Sequence, residues 1–562
     1  MGFVERMFDS LNYKKTSVKV TLLNWTKSPS QLSRKFAISA ISRYKHWTDA
    51  DFHTISHSID FGTEVALSRC PNINNKLFLN VKTSLNKNFN SLNCLVLHLT
   101  NVLLKFQECG CKLNENDIYH FQNIIKQYGE LDQNSHELFS KQNKGYSDII
   151  YKKFEYLNKL YSSYKTNEDK TVNIVEILEW IETVCQEESK ASSLLNTEFI
   201  KDLLAISSIY EDGKFETKDK VIGLISTIIA NLSSYRNSYS VFENCRDLMT
   251  KLRKWQRNDC IQISMNAKKT IINLDNLECC VYPPKIVLFY PYHHFDYDFD
   301  IIFVHGINGN PYKTWRCTLD GNKLVSNGNK RWTSNWPLDL LTKDIPNCRI
   351  ISFRMDNPLM PRNDYTDKEE KTFIGKSKLI LPELKKIGIG KKPIIWIGHS
   401  LGGIQIKHIL LMASNDERYS DIFYNTKGIA FCATPHNGSS WAKTGRALRV
   451  PCSDEIVQLS DSEKLGKLQS DFMTLVNDRK NIKLLNMMEN KKTKHFMNMI
   501  NFLVVPPKES DIGVSNVIID SDHNNIVKPR DVNSKSYKEI LNFINESIHQ
   551  NKLYELIETF DN

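Results

Sequence analysis

With 562 residues, 41% of them hydrophobic and 25% charged, the chain is long and apolar enough for more than one domain with its own core. That excludes wholesale disorder and dependence on disulfide staples. The formal net charge of +10 comes mostly from scattered lysines, with no arginine-rich run or basic-aromatic module, so nucleic acid is not an expected partner.

The thirteen cysteines lack paired Cys-x-x-Cys spacing, and neither Cys109-Gly110-Cys111 nor Cys279-Cys280 makes a tetrahedral zinc set. Buried free thiols in a reducing compartment, and no metal, are the expectation. The first residues, Met1 to Met7, do not read as a secretory signal, and the position six expected for a myristoylation signal lacks Ser or Thr. The longest apolar stretch, Val221 to Leu232, is broken by Gly223, Ser226, Thr227 and Asn231 and falls short of the roughly 20 residues that a bilayer span needs. Membrane contact is therefore expected to be peripheral or through a partner.

Residues 1–275 read as helix. Leu32, Phe36, Ala40, Ile41 and Tyr44 mark one face of a helix begun after Pro29, and Val221, Leu224, Ile225, Ile228, Ile229 and Leu232 recur at helical spacing. Val241, Cys245, Leu248, Leu252 and Trp255 continue the habit after the polar connection Ser233 to Asn237. This grammar suggests an armadillo- or HEAT-like helical repeat that could hold a protein partner, with a plain helix bundle as the alternative.

From residue 276 to 562 the pattern changes to short apolar runs alternating with helices, the signature of a mostly parallel sheet. Strands are expected at Lys285 to Phe289, Ile301 to Val304, Arg349 to Phe353, Pro393 to Ile397, Gly428 to Cys432, Phe502 to Val505 and Asn516 to Ile519. Helices are expected at Pro337 to Lys343, Thr372 to Lys386, Gly403 to Ala413 and Ser534 to His549. Residues 355–371 and 436–470 are long and polar enough to be lid or cap insertions.

The run from Ile394 to Gly403 joins a strand to a Gly-x-Ser-x-Gly turn and then a helix, which makes Ser400 the candidate nucleophile. Upstream, Ile301 to Val304 ends in His305-Gly306, a turn of the kind that supplies half of an oxyanion hole. The backbone N–H groups of Leu401 and Ile307 are the expected donors. Serine acyl transfer further needs a base and an acid to orient it, and in an α/β-hydrolase both follow the serine in the chain. His523, after the strand Asn516 to Ile519 and before the last helix, fits the base. His408 and His549 lie in helices, His495 precedes the strand at Phe502, and His436 comes too early, so it is expected at the rim with substrate. His399 is expected to pack against the sheet. Asp511 or Glu509, after the strand at Phe502, could orient His523. No cofactor is needed for such chemistry.

These motifs resemble the serine-active-site-containing protein family, α/β-hydrolases with a helical-repeat N-terminal region. The likeness rests on Phe303 to Gly309 with Lys313-Thr314-Trp315-Arg316, Gly398 to Gly403, Thr434 to Ser439, and Asp522 to Pro529. It implies a lipase-like serine hydrolase or transacylase connected with phosphatidylglycerol remodelling and sterol trafficking, at contacts between mitochondria and endoplasmic reticulum. It also implies Ser400 as nucleophile, His523 as base and Asp511, ahead of Glu509, as acid; His305 and His436 are expected beside the substrate. A helical interaction protein whose hydrolase-like domain is silent is the competing expectation.

Overall fold

The computed structural model describes residues 15–44, 47–70, 74, 77, 174–195, 197–213, 215, 217–275, 281–292, 296–318, 332–355, 372–438, 458–459, 461–479, 481–495, 500–513 and 515–560. The chain divides into two units, Met1–Cys279 and Cys280–Asn562. Most of both expected lid segments, 356–371 and 439–457, lies outside the described residues.

The described part of the first unit is mostly helical, in helices of 6 to 16 residues. Its centre is α1 (Lys218–Leu232), in which every residue from Val221 to Leu232 is buried. The polar side chains that break the apolar run each find a partner on a neighbouring helix, although the buried Asn231 Oδ1 has none among the described residues. Ser226 and Thr227 accept from Asn266 Nδ2 of α2 (Ile261–Leu274) at 3.1 and 2.8 Å, and Asn231 Nδ2 donates to Glu182 Oε1 at 3.1 Å. A buried hydroxyl or amide without such a partner would cost about 1–3 kcal/mol. The helix expected through Val241 and Trp255 is interrupted: Ser238–Glu243 and Arg246–Trp255 are separate, with Cys245 in a non-helical conformation between them. No helix among the described residues is long and apolar enough to cross a membrane.

The second unit is built on a seven-stranded mixed sheet. Its strands, in chain order, are β1 (Ile286–Tyr290), β2 (Phe299–Val304), β3 (Cys348–Phe353), β4 (Ile394–His399), β5 (Thr426–Cys432), β6 (Lys483–Glu489) and β7 (Asn516–Ile519). Their order across the sheet is β1-β3-β2-β4-β5-β6-β7, with β1 antiparallel and the others parallel. β2, β3 and β4 are buried along their whole length, as expected of a sheet covered on both faces. The crossovers include α3 (Phe373–Lys386), α4 (Leu401–Ser414) and α5 (Ser462–Asn477), and the chain ends in α6 (Lys535–Phe560). This is an α/β-hydrolase-like arrangement. Parallel strands end at one edge, so the segments after β2, β4, β5, β6 and β7 converge there.

One expected strand is corrected. Phe502 to Val505 is not in the main sheet; Ile500–Phe502 pairs only with Thr493–His495 in a small antiparallel hairpin. The sheet position belongs instead to β6, Lys-Leu-Leu-Asn-Met-Met-Glu, which has no β-branched residue to announce it.

Candidate active site

Ser400 stands between β4 and α4 with φ 53° and ψ −124°, a conformation rarely adopted by a residue with a side chain. Close packing of backbone enforces it. A Cβ on Gly402 would lie 2.1 Å from the Val304 carbonyl oxygen, one on Gly398 2.9 Å from the Gly403 backbone, and one on Gly403 2.2 Å from Thr434 Oγ1. The Ser400 N–H is tied to the Cys432 carbonyl at the end of β5, 2.9 Å away.

His523, on the loop after β7, lies 3.0 Å through Nε2 from Ser400 Oγ. Its Nδ1 lies 2.6 Å from Glu489 Oε2, the last residue of β6. The other Glu489 oxygen accepts the backbone N–H groups of Val504 and Val505 at 2.7 and 3.0 Å. With the carboxylate accepting from Nδ1, the His523 Nε2 is left as an acceptor facing the serine hydroxyl. All three side chains are buried. The arrangement can withdraw a proton from Ser400 and hold the resulting imidazolium beside a fixed carboxylate.

The turn after β2 abuts the serine. A Cβ on Gly306 would lie 2.7 Å from Ser400 Cβ and 3.3 Å from its Oγ, so only glycine lets this backbone approach. Neither the Leu401 nor the Ile307 N–H has an acceptor among the described residues, which leaves both amides available for an oxyanion.

Ser400, His523, Leu401 and Ile307 thus come from segments that meet at one edge of the sheet, whereas the two acids expected from sequence do not reach His523. Asp511 is exposed, accepting from the Gly513 N–H at 2.8 Å and Asn516 Nδ2 at 2.6 Å, and these hydrogen bonds hold its carboxyl below the usual range. Glu509 sits in the short helix Pro507–Ser510 and makes no hydrogen bond to His523. The carboxylate there is Glu489, because the strand before the acid loop is β6 rather than the run at Phe502.

The two histidines expected beside the substrate are both buried. His305 is buried, with Nδ1 3.0 Å from the Gly306 carbonyl and Nε2 accepting the Met355 N–H at 3.3 Å, so both ring nitrogens brace backbone. His436 is buried with its ring edge-on to Phe431 at 4.7 Å, and burial, then the charge of Lys407, holds it well below its ordinary pKa. His399 does more than pack against the sheet: its Nε2 lies 2.9 Å from the His523 carbonyl oxygen.

Comparison with known proteins adds an independent observation. The model of the SERAC1 N-terminal domain matches residues 9–81. Protein SERAC1 of Danio rerio is 26% identical over 547 residues, covering 94% of this chain and 78% of the relative. Over most of its length the chain is thus similar to SERAC1 proteins. Human SERAC1 is 36% identical over 257 residues, 44% of this chain, and that match spans 39% of the human protein. Among solved structures, the propeptide form of the Bacillus licheniformis lipase BlEst2 aligns with 46% of this chain and 53% of its own at 17% identity and a TM-score of 0.31. The phospholipase PlaB of Legionella pneumophila aligns over 34% and 38% of the two chains at 14% identity and a TM-score of 0.24.

Proposed function

We propose that the second unit is a serine hydrolase or transacylase acting on lipid esters. The observation that carries this reading is the continuous relay from Glu489 through His523 to Ser400, with contacts of 2.6 and 3.0 Å. His523 Nε2 takes the hydroxyl proton as Ser400 Oγ attacks the ester carbonyl, and the oxygen that becomes negative is received by the N–H groups of Leu401 and Ile307. Collapse of the tetrahedral intermediate breaks the ester C–O bond, and the imidazolium protonates the departing alcohol. Water gives hydrolysis of the acyl-serine, and an acceptor alcohol gives transfer, by the same steps in reverse.

The substrate class is the one that the resemblance to SERAC1 proteins implies. Remodelling of a phospholipid, phosphatidylglycerol in particular, in connection with sterol trafficking at mitochondria or endoplasmic reticulum, is the finer reading. In it the helical unit, stacked in the armadillo- or HEAT-like manner, provides the surface for a protein partner and the enzyme meets its lipid by peripheral membrane contact.

The test is labelling of the full chain by a fluorophosphonate, alongside release of fatty acid from phospholipid vesicles. Wild type is labelled and Ser400→Ala is not, and cells carrying Ser400→Ala accumulate the unremodelled lipid. Equal labelling of the two proteins, or complete rescue of cells by Ser400→Ala, overturns the reading in favour of a non-catalytic interaction protein.

A further inference from the structure

The loop that carries His523 is gripped from both sides by side chains outside the relay. The backbone N–H of His523 donates to Thr493 Oγ1 at 3.0 Å, and its carbonyl oxygen lies 2.9 Å from His399 Nε2. Thr493 opens the first strand of the hairpin that follows Glu489, and His399 is the residue immediately before Ser400. Both side chains are buried.

Chemistry fixes the proton on His399. A carbonyl oxygen can only accept, so Nε2 must carry the hydrogen, and a neutral imidazole suffices to do so. Burial, and then the neighbouring His523, keeps the His399 ring well below its ordinary pKa. The two rings are 5.0 Å apart at 43°, so a charged His399 would oppose the imidazolium that His523 must become, whereas a neutral one need not.

A catalytic imidazole on a loop is only as well placed as the peptide units beside it, and a shift of about 1 Å can cost about 100-fold in rate. Here both main-chain groups of the base itself are pinned, one by the elbow and one by the hairpin. We propose that His399 and Thr493 are positioning residues that clamp the peptide units flanking His523, so that the nucleophile's own turn sets the register of the base.

This inference rests on the reading of Ser400 as nucleophile, and the experiment separates the two. The second-order rate of fluorophosphonate labelling is measured against pH for wild type, His399→Leu, His399→Gln, Thr493→Val and Thr493→Ser, each with a thermal melt. The Leu and Val variants, which lack the polar partner, label about 10–100-fold more slowly at every pH. The Gln variant, whose amide N–H can reach the same carbonyl, and the Ser variant, which keeps the hydroxyl, recover to within a few fold of wild type. Should His399→Leu fail to fold, His399→Asn, polar but too short, takes its place in the comparison. Wild-type rates in the Leu and Val variants, or equal losses in the Gln and Ser variants, overturn the clamp while the labelled wild type leaves the hydrolase reading standing. An unlabelled wild type overturns the hydrolase reading, and the clamp with it.

Discussion

Glu489 Oε2 and His523 Nδ1 are 2.6 Å apart although 34 residues separate them in the chain. The carboxylate also receives the N–H groups of Val504 and Val505, so three donors fix its orientation from two directions. A glutamine there can present its amide N–H to Nδ1, which favours the wrong imidazole tautomer. Glu489→Gln is therefore expected to lower kcat by about 10³–10⁴-fold, the scale seen when a triad acid is replaced by its amide. Asp511→Asn and Glu509→Gln stay within a few fold. Steady-state hydrolysis of a short-chain ester by the three variants checks the assignment, and a large loss in Asp511→Asn with none in Glu489→Gln would reverse it.

Why sequence led to Ser400 and His523 but away from Glu489 is a matter of how strongly each strand announces itself. Ile394 to Ile397 and Asn516 to Ile519 are rich in Ile and Val, and the first is followed by glycines that a tight turn requires, so both could be read. Lys483 to Glu489 has Leu, Met and Asn, residues without strand preference, and its pairing with β5 and β7 is decided by tertiary packing. Phe502-Leu503-Val504-Val505 has the stronger local signal yet only contributes an edge of the hairpin and two N–H groups to Glu489. The second contact of His399 could not be read at all, since it joins residues 124 positions apart through a main-chain carbonyl.

The positive φ of Ser400 gives a stability prediction that is separable from catalysis. Ser400→Ala and Ser400→Gly both lose the hydroxyl and its contact with His523, so their difference isolates the backbone. Glycine ordinarily destabilises relative to alanine by about 0.5–1 kcal/mol, but at φ 53° the order inverts, and Ser400→Gly is expected to be more stable than Ser400→Ala by about 1 kcal/mol. Thermal or denaturant unfolding of the pair reads the sign, and a more stable alanine variant would mean that the elbow relaxes.

Two glycines make a matched pair for packing. In Gly402→Ala the added methyl lies 2.1 Å from the Val304 carbonyl oxygen and 2.8 Å from its carbon, both backbone of β2 and unable to rotate away. A loss of about 3 kcal/mol or more, or failure to accumulate as soluble protein, is expected. In Gly466→Ala, within α5, the new methyl meets nothing within 4 Å among the described residues, and the gain in helix propensity is about 0.5–1 kcal/mol. Expression and melting temperatures of the two variants test the contrast directly.

Lys407, fully buried in α4, donates through Nζ to Gln469 Oε1 of α5 and lies 5.6 Å from the ring centroids of Phe431 and Phe472. With no carboxylate beside it among the described residues, burial pushes its pKa down to about 7 from 10.5. The adjacent histidines cannot compensate: burial and the charge of Lys407 bring His408 to about 4, and His436 is also held well below its ordinary range. Below about pH 7 the amine is charged in both states and the folded protein bears the full desolvation cost. Between about 7 and 10.5 the unfolded chain binds the extra proton, so stability rises with pH by at most about 1.4 kcal/mol per unit. Lys407→Met removes this slope. Its stability relative to wild type should be most favourable near pH 6 and diminish by pH 9, as measured by denaturant unfolding at both values, because the methionine fills the same slot between Phe431 and Phe472 without a charge to desolvate. An offset independent of pH would instead mean that water reaches the amine.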